Sequence, residues 1–246
     1  MPLKEEFEVQ GNWLFRWRSY LPLFLVVLLL PGMINYEYPC KREGMHLIWV
    51  IFSLLVSLFG LIVRVFTIGH TPKNTSGRNT GEQKASTVNN TGIYSTVRHP
   101  LYVGNYFMWL GIILYVHSGW TALCFTLIYW IYYERIMYAE EEFLRKKFGE
   151  QYEAWAEKTP AFIPSFKNWQ RPSLPFSLKN VLKREYSGFF AVIFSFTLLE
   201  MAKNYILDGR LWLSAGWLIF FGIGLFIYLT LRTLKRNTSL LHVDGR

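Results

Sequence analysis

The sequence predicts an all-α, polytopic membrane protein with about six transmembrane helices plus a cytoplasmic amphipathic helix, and no Rossmann domain. Three observations lead there. The 246 residues are 52% hydrophobic and 18% aromatic, with a mean hydropathy of +0.17, which is unlike an ordinary soluble domain. Apolar windows of about 20 residues, long enough to cross a bilayer as helices, recur along the chain. The formal charge of +9 is distributed unevenly between connecting segments, as in a membrane protein with basic cytoplasmic loops rather than a nucleic-acid binder.

Residues 1–19 mix Glu5, Glu6 and Glu8 with Trp13, Arg16, Trp17 and Arg18 and read as an interfacial lead-in. A first span follows to about Ile34, bracketed by Pro22 and Pro31. No small-x-small cleavage site follows its apolar heart, so it reads as a retained helix rather than a signal peptide. Residues 45–68 form the cleanest span. Arg64 near its end reads as snorkelling to the interface, with a bound anionic group as the sharper alternative. Residues 69–91 are polar and longer than a connection needs; Asn74 and Asn89 there match the Asn-x-Ser/Thr pattern.

Leu101–His117 and Trp120–Tyr138 predict a tight antiparallel hairpin, with Gly104 and Gly111 available for close helix approach. Beyond Glu140, Glu141 and Glu142, the residues Leu144, Phe148, Tyr152 and Trp155 recur at spacings of four, four and three. That spacing predicts an amphipathic surface helix continuing from the fourth span, closed by Pro160 and Pro164. A basic connector over 165–184 leads to two more spans, Tyr186–Leu207 and Leu211–Leu231. The expected organisation is therefore an N-terminal membrane pair with the start of a loop (1–79), a core (80–166), and a connector with a C-terminal membrane pair (167–246).

Charge counting sets the expected orientation. Lys4, Arg16 and Arg18, then Lys73, Arg78, Lys84 and Arg98, the bases of 135–184 and the tail all fall on one side. Only Lys41, Arg42, Lys203 and Arg210 fall on the other. Both termini and the polar loop are thus expected in the cytoplasm, at a bacterial inner membrane or the endoplasmic reticulum. Cys40 and Cys124 suit neither a disulfide nor a metal site, and no metal is expected. Near-absence of charge within the spans gives no ion pathway, and Gly222 with Gly224 lacks the strand and third glycine of a dinucleotide fingerprint.

The chemical signal lies between Gly92 and Gly111. Pro100 suits the first turn of a helix, which sets Arg98 and His99 at its mouth. A helix N-terminus offers unpaired N–H groups and partial positive charge to a carboxylate or phosphate; ordinary interfacial residues are the alternative reading. The hairpin brings this mouth close to the glutamates that leave the fourth span.

In order, Gly92 and Tyr94, then Arg98, His99, Pro100, Tyr102 and Gly104, then Glu140, Glu141 and Leu144, then Phe148, Gly149, Tyr152 and Pro164 carry a resemblance. Over residues 80–166 the chain resembles the integral-membrane methyltransferases, which include isoprenylcysteine carboxyl methyltransferases and phospholipid methyltransferases. The resemblance implies S-adenosyl-L-methionine as methyl donor, held by Tyr94, His99, Pro100, Tyr102 and Glu140 and by the loop residues Ser86, Thr87, Val88 and Asn89. It implies as acceptor a membrane lipid headgroup, phosphate or amine, or a lipidated carboxylate. Arg98 and Arg135 are the available catalytic cations and Glu141 the available base. The prenylcysteine enzymes carry an arginine where this chain has Ile136, and the one-residue offset to Arg135 turns the side chain by about 100°. Membrane sterol and steroid reductases resemble the same motif, but they show asparagine where Leu101 stands, which argues against NADPH. A non-catalytic membrane protein is the remaining alternative.

Overall fold

The structure, a computed structural model, describes residues 2–72, 75, 83, 85–243 and 245–246. Asn74 and the boundary between 79 and 80 lie outside the described residues. Eight α-helices succeed one another among those residues: α1 (Leu3–Trp17), α2 (Leu29–Ile34), α3 (Gly44–Gly69), α4 (Pro100–Leu114), α5 (Gly119–Phe148), α6 (Glu150–Ala156), α7 (Leu178–Asp208) and α8 (Ala215–Asn237). No strand is present among the described residues; one isolated antiparallel bridge joins Gly92 to Gln170. Among the described residues, four segments are long and apolar enough to cross a membrane: Leu21–Lys41, Gly44–Gly69, Leu178–Asp208 and Ala215–Asn237.

The remaining expected spans take a different form. α4 has 15 residues and is therefore about 22 Å long, shorter than a typical hydrocarbon core. α5 has 30 residues, about 45 Å, and runs unbroken past Glu140, Glu141 and Glu142. Gly149, at φ 51°, ends it and starts the short α6, so the expected amphipathic helix is split in two. The first span is a 3₁₀ helix over Leu21–Leu28 that passes into α2. Pro31 lies inside α2 and has no N–H to donate to a residue one turn earlier. The N-terminal lead-in is itself a helix, α1, laid antiparallel along the C-terminal half of α5. Gly11 packs against the Arg135 carbonyl, and Lys4 pairs with Glu142.

The densest packing joins α3 to α4, and small residues permit it. Gly60, Gly104 and Gly111 meet Ser53, Ser57 and one another's backbones, with the Ser57 hydroxyl donating to the Met108 carbonyl at 2.8 Å. The glycine face of α4 thus meets α3 rather than its hairpin partner α5. On the opposite face of α3, Ile48, Phe52, Leu55, Phe59, Ile62 and Phe66 are exposed, a stripe at helical spacing suited to lipid contact. α7 runs antiparallel to α3, and α8 covers α7 while leaving nearly all of its own apolar surface outward.

Charge is present inside the fifth expected span, contrary to the sequence reading. Glu200 accepts from Tyr115 at 2.6 Å and from Lys203 at 2.7 Å, and lies 2.9 Å from His46 Nε2. Tyr36 completes the cluster by bonding His46 Nδ1 at 2.8 Å. Side chains from α3, α7 and the segments after α2 and α4 satisfy these groups together, and losing one partner of such a network leaves another uncompensated.

A methyl group at Gly111 would collide with the Ser57 hydroxyl and the Ser53 carbonyl. Gly111→Ala should therefore destabilise the protein by about 1–3 kcal/mol, read as a lower thermal midpoint in detergent. At Gly222 a Cβ meets nothing within 4 Å, so Gly222→Ala should hold or slightly raise the midpoint. Equal behaviour of the two variants would remove the α3–α4 seam from this account.

Candidate active site

Local chain geometry builds the mouth of α4 before any side chain is considered. Pro100 occupies the first helical position and His99 is the N-cap, as the fixed proline φ favours. The preceding turn, Ile93–Ser95, starts at Gly92, whose φ of 61° is the left-handed conformation glycine tolerates. A strap from the far side of the core holds this turn. The Arg98 and His99 amides donate to the Pro160 and Ala161 carbonyls at 2.9 and 3.2 Å, and Ser165 N donates to the Thr96 carbonyl. The Trp155 indole donates to the Tyr94 carbonyl at 3.1 Å.

These bonds alter one sequence expectation. Of the amides at the mouth, those of Arg98 and His99 serve the strap, and those of Tyr102 and Val103 turn back to the His99 carbonyl. Pro100 has none. Anion binding by helix-end amides is thereby reduced to Leu101, and the charge at this mouth is carried by side chains.

His99 lies between two carboxylates of α5. Its Nε2 is 2.9 Å from Glu141 Oε1 and its Nδ1 is 3.5 Å from Glu140 Oε2. The Arg98 Nε is also 2.9 Å from Glu141 Oε1, while its Nη1 donates to the Ala156 carbonyl. Glu140 accepts from the Tyr102 hydroxyl at 2.8 Å, with Arg18 Nη1 of the segment after α1 at 3.6 Å. The His99 ring stacks on Tyr102, with centroids 5.7 Å apart, and Tyr102 leans on Tyr133 at 4.7 Å.

Burial opposes charge on His99, but its hydrogen bonds and attraction to Glu140 and Glu141 prevail and raise its pKa above 6.5. For Glu141, burial pushes the pKa up, but the His99 hydrogen bond, the charges of His99 and Arg98, and Tyr152 together bring it below 4.5. Tyr152 is held above the usual phenol range, chiefly by burial and secondly by the Glu141 charge.

A cavity of about 640 Å³ opens at this point. Its wall contains Thr87, Val88, Asn89, Tyr94, Arg98, His99, Pro100, Tyr102 and Glu140, nine residues expected from the sequence. Three expected residues are absent from the wall. Ser86 is exposed in the loop. Arg135 faces α1, where its Nε donates to Gln10 at 2.7 Å and its guanidinium covers Phe7. Glu141 stands behind His99 and Arg98. Ile136, at the position where the prenylcysteine enzymes carry arginine, is fully buried.

The wall also contains residues the sequence reading did not assign to the site. Phe15 and Arg18 come from the N-terminal helix and its end, Tyr152 and Trp155 from α6, and Arg184, Glu185 and Ser187 from α7. Arg64 does not snorkel: it points into the protein and grips Glu185 through two 2.7 Å bonds. An ionisable residue at the edge of an apolar run was the available signal for Arg64 and Glu185. Nothing in local sequence joined them.

The signs of the two shifts set a pH window. The raised His99 pKa contributes stability that is complete below about 6.5 and lost as pH rises through the folded value. The depressed Glu141 pKa contributes stability present above 4.5 and lost as pH falls through its folded value. The thermal midpoint of the native protein should therefore exceed that of His99→Gln most between pH 4.5 and 6.5, with the gap narrowing at higher pH. A gap that stays constant across that rise would show that His99 carries no charge in the folded protein.

Residues 48–151 match the family model described as phospholipid methyltransferase. Among curated proteins, the protein-S-isoprenylcysteine O-methyltransferase of Schizosaccharomyces pombe is 39% identical over 74 residues, 30% of this chain and 31% of that protein. Protein-S-isoprenylcysteine O-methyltransferase B of Arabidopsis thaliana is 34% identical over 30% of this chain and 37% of its own length. A nickel-cobalt-cadmium resistance protein of Alcaligenes xylosoxydans is 33% identical over 33% of this chain and 38% of its own. Each match thus spans about a third of the relative's length. No solved structure matches the chain. The family match runs over α3, α4 and α5, which carry much of the cavity wall, and over that region the chain is similar to the phospholipid methyltransferases.

Proposed function

We propose that the cavity binds S-adenosyl-L-methionine and directs its methyl group to an acceptor drawn from the bilayer. The single observation that carries this reading is the convergence of the loop at 87–89, Tyr94, the α4 mouth and Glu140 on one cavity of about 640 Å³, a size suited to a small-molecule cofactor. The residues present fit the donor. The faces of Tyr102 and Tyr133 suit a sulfonium. Glu140 suits an ammonium or ribose hydroxyls, and Arg18 suits a carboxylate.

When bound, that cofactor supplies a methyl group on a positively charged sulfur. The chain's own task is alignment and exclusion of water, which together lower a displacement barrier by several kcal/mol. His99, clamped between Glu140 and Glu141, fixes the Glu140 side of the cavity. Glu141 is assigned a positioning role, since it reaches the cavity through His99, Arg98 and Tyr152. Arg98 keeps its assignment beside the reacting groups, and Arg135 is assigned to the α1–α5 contact. The acceptor is a lipid headgroup or a lipidated carboxylate; the names of the isoprenylcysteine relatives, which specify a lipidated cysteine, support the second. We further infer six membrane crossings, with α4 and α5 as the short and long members of the hairpin, and with both termini and the cavity in the cytoplasm.

Calorimetric titration of the detergent-purified protein with S-adenosylhomocysteine, beside NADPH, tests the reading. Saturable binding of the former alone is expected. His99→Ala and Glu140→Ala should each weaken it roughly ten- to hundredfold, the effect of losing a charge-assisted hydrogen bond, while Arg135→Ala should leave it within about twofold. Native affinity in both His99→Ala and Glu140→Ala would sink the cofactor site, and binding of NADPH alone would move the chain to the reductases.

A further inference from the structure

Three helices that are distant in sequence bring Arg64, Asn105 and Glu185 to the cavity wall. The Arg64 Nε and Nη2 donate to Glu185 Oε2 and Oε1, both at 2.7 Å, and Nη1 donates to Asn105 Oδ1 at 2.6 Å. A guanidinium has five N–H donors in a rigid plane. Three are engaged here, and the other two have no partner among the described residues. The group is thus held still by a carboxylate and an amide while part of its donor edge remains available inside a cavity.

Gly104 makes this orientation possible. A Cβ there would stand 2.5 Å from Arg64 Cγ, so the bare backbone of α4 is where the arginine stem lies. Asn105 is also one turn from Tyr102, whose hydroxyl holds Glu140. Residues three apart on a helix are neighbours, about 5–6 Å between Cβ atoms. The Arg64 group and the Glu140 group therefore flank one reaction space.

We propose that Arg64, fixed by Glu185 and Asn105, binds an oxyanion of the methyl acceptor, a carboxylate or phosphate, and that α7 is consequently part of the active site. The proposal rests on the methyltransferase reading above. Two observations favour an oxyanion over an amine. The wall holds Arg18, Arg64, Arg98 and Arg184 against Glu140 and Glu185, an excess of cations. An amine must also surrender a proton, yet both Glu185 oxygens already accept from Arg64. For an oxyanion no proton moves: an oxygen lone pair forms the new O–CH₃ bond as the S–CH₃ bond breaks, and the bonding pair of the broken S–CH₃ bond stays on sulfur. The products are a neutral thioether and an ester that carries one negative charge fewer than the acceptor: a neutral methyl ester from a carboxylate, a methyl phosphodiester anion from a phosphate monoester dianion.

Equilibrium binding of three amphiphiles in neutral detergent provides the test: N-acetyl-S-farnesylcysteine for a carboxylate, dodecyl phosphate for a phosphate, and dodecylamine for an amine. Removing Arg64 alone would strand Glu185, so the comparison uses Arg64→Leu/Glu185→Leu, an apolar replacement of the pair that buried sites tolerate. The native protein should bind at least one anionic amphiphile saturably, and whichever binds identifies carboxylate or phosphate. The double variant should bind it at least tenfold more weakly while keeping S-adenosylhomocysteine affinity within about threefold. Equal anion binding by both proteins, preference for dodecylamine, no anion binding by the native protein, or joint loss of cofactor affinity in the variant would each overturn the assignment. Failure of the native protein to bind S-adenosylhomocysteine would instead overturn the function proposed above, because the anion comparison is read without cofactor.

Discussion

The close approach of α3 and α4 is the constraint on which the rest of the molecule depends. Gly60, Gly104 and Gly111 let two backbones meet where any side chain would separate them, and apolar helices in a lipid-like setting associate chiefly through such packing. The seam fixes the height of the α4 mouth against α3. It also opens the channel along which Arg64 lies. Separating the helices by one methyl layer would move His99, Tyr102 and Asn105 together, because all three ride on α4 or its cap.

Electrostatic pairing then turns a packed helical bundle into a shaped cavity. His99 joins the α4 mouth to α5 through Glu140 and Glu141, and Arg98 joins Glu141 to α6 through the Ala156 carbonyl. Arg64 and Glu185 join α3 to α7 on the opposite wall. Each charge sits against an opposite charge, so none faces low dielectric alone. The cost of burying these groups is offset only when all the helices are in place, so the cavity and the tertiary fold form together.

The C-terminal helices acquire a purpose from this arrangement. α7 places Glu185 at one end of the α3 contact and Glu200 at the other, where Glu200 meets His46, Tyr115 and Lys203. Two polar anchors separated along a shared apolar interface set the axial register of α7 against α3, which apolar packing alone would leave free to slide. α8 then shields α7 on one side and presents apolar surface outward, an arrangement that suits a bilayer rather than water.

Sequence by itself determined the long apolar helices and most of one wall of the cavity. Apolar length gave the α3, α7 and α8 helices, Pro100 gave the α4 start, and the ordered residues from Tyr94 to Glu140 named one side of the cavity. These features are local: a helix start or an apolar run is written in neighbouring residues. The tertiary structure alone decided which face of α4 meets α3, that α1 closes the cavity with Arg18, that Arg135 turns away to Gln10, and that Arg64 finds Glu185 across more than a hundred intervening residues. The physical reason is that a charge's partner is chosen by distance and desolvation in three dimensions. Spacing along the chain records only which helix face a residue occupies, and leaves open which neighbour that face will meet.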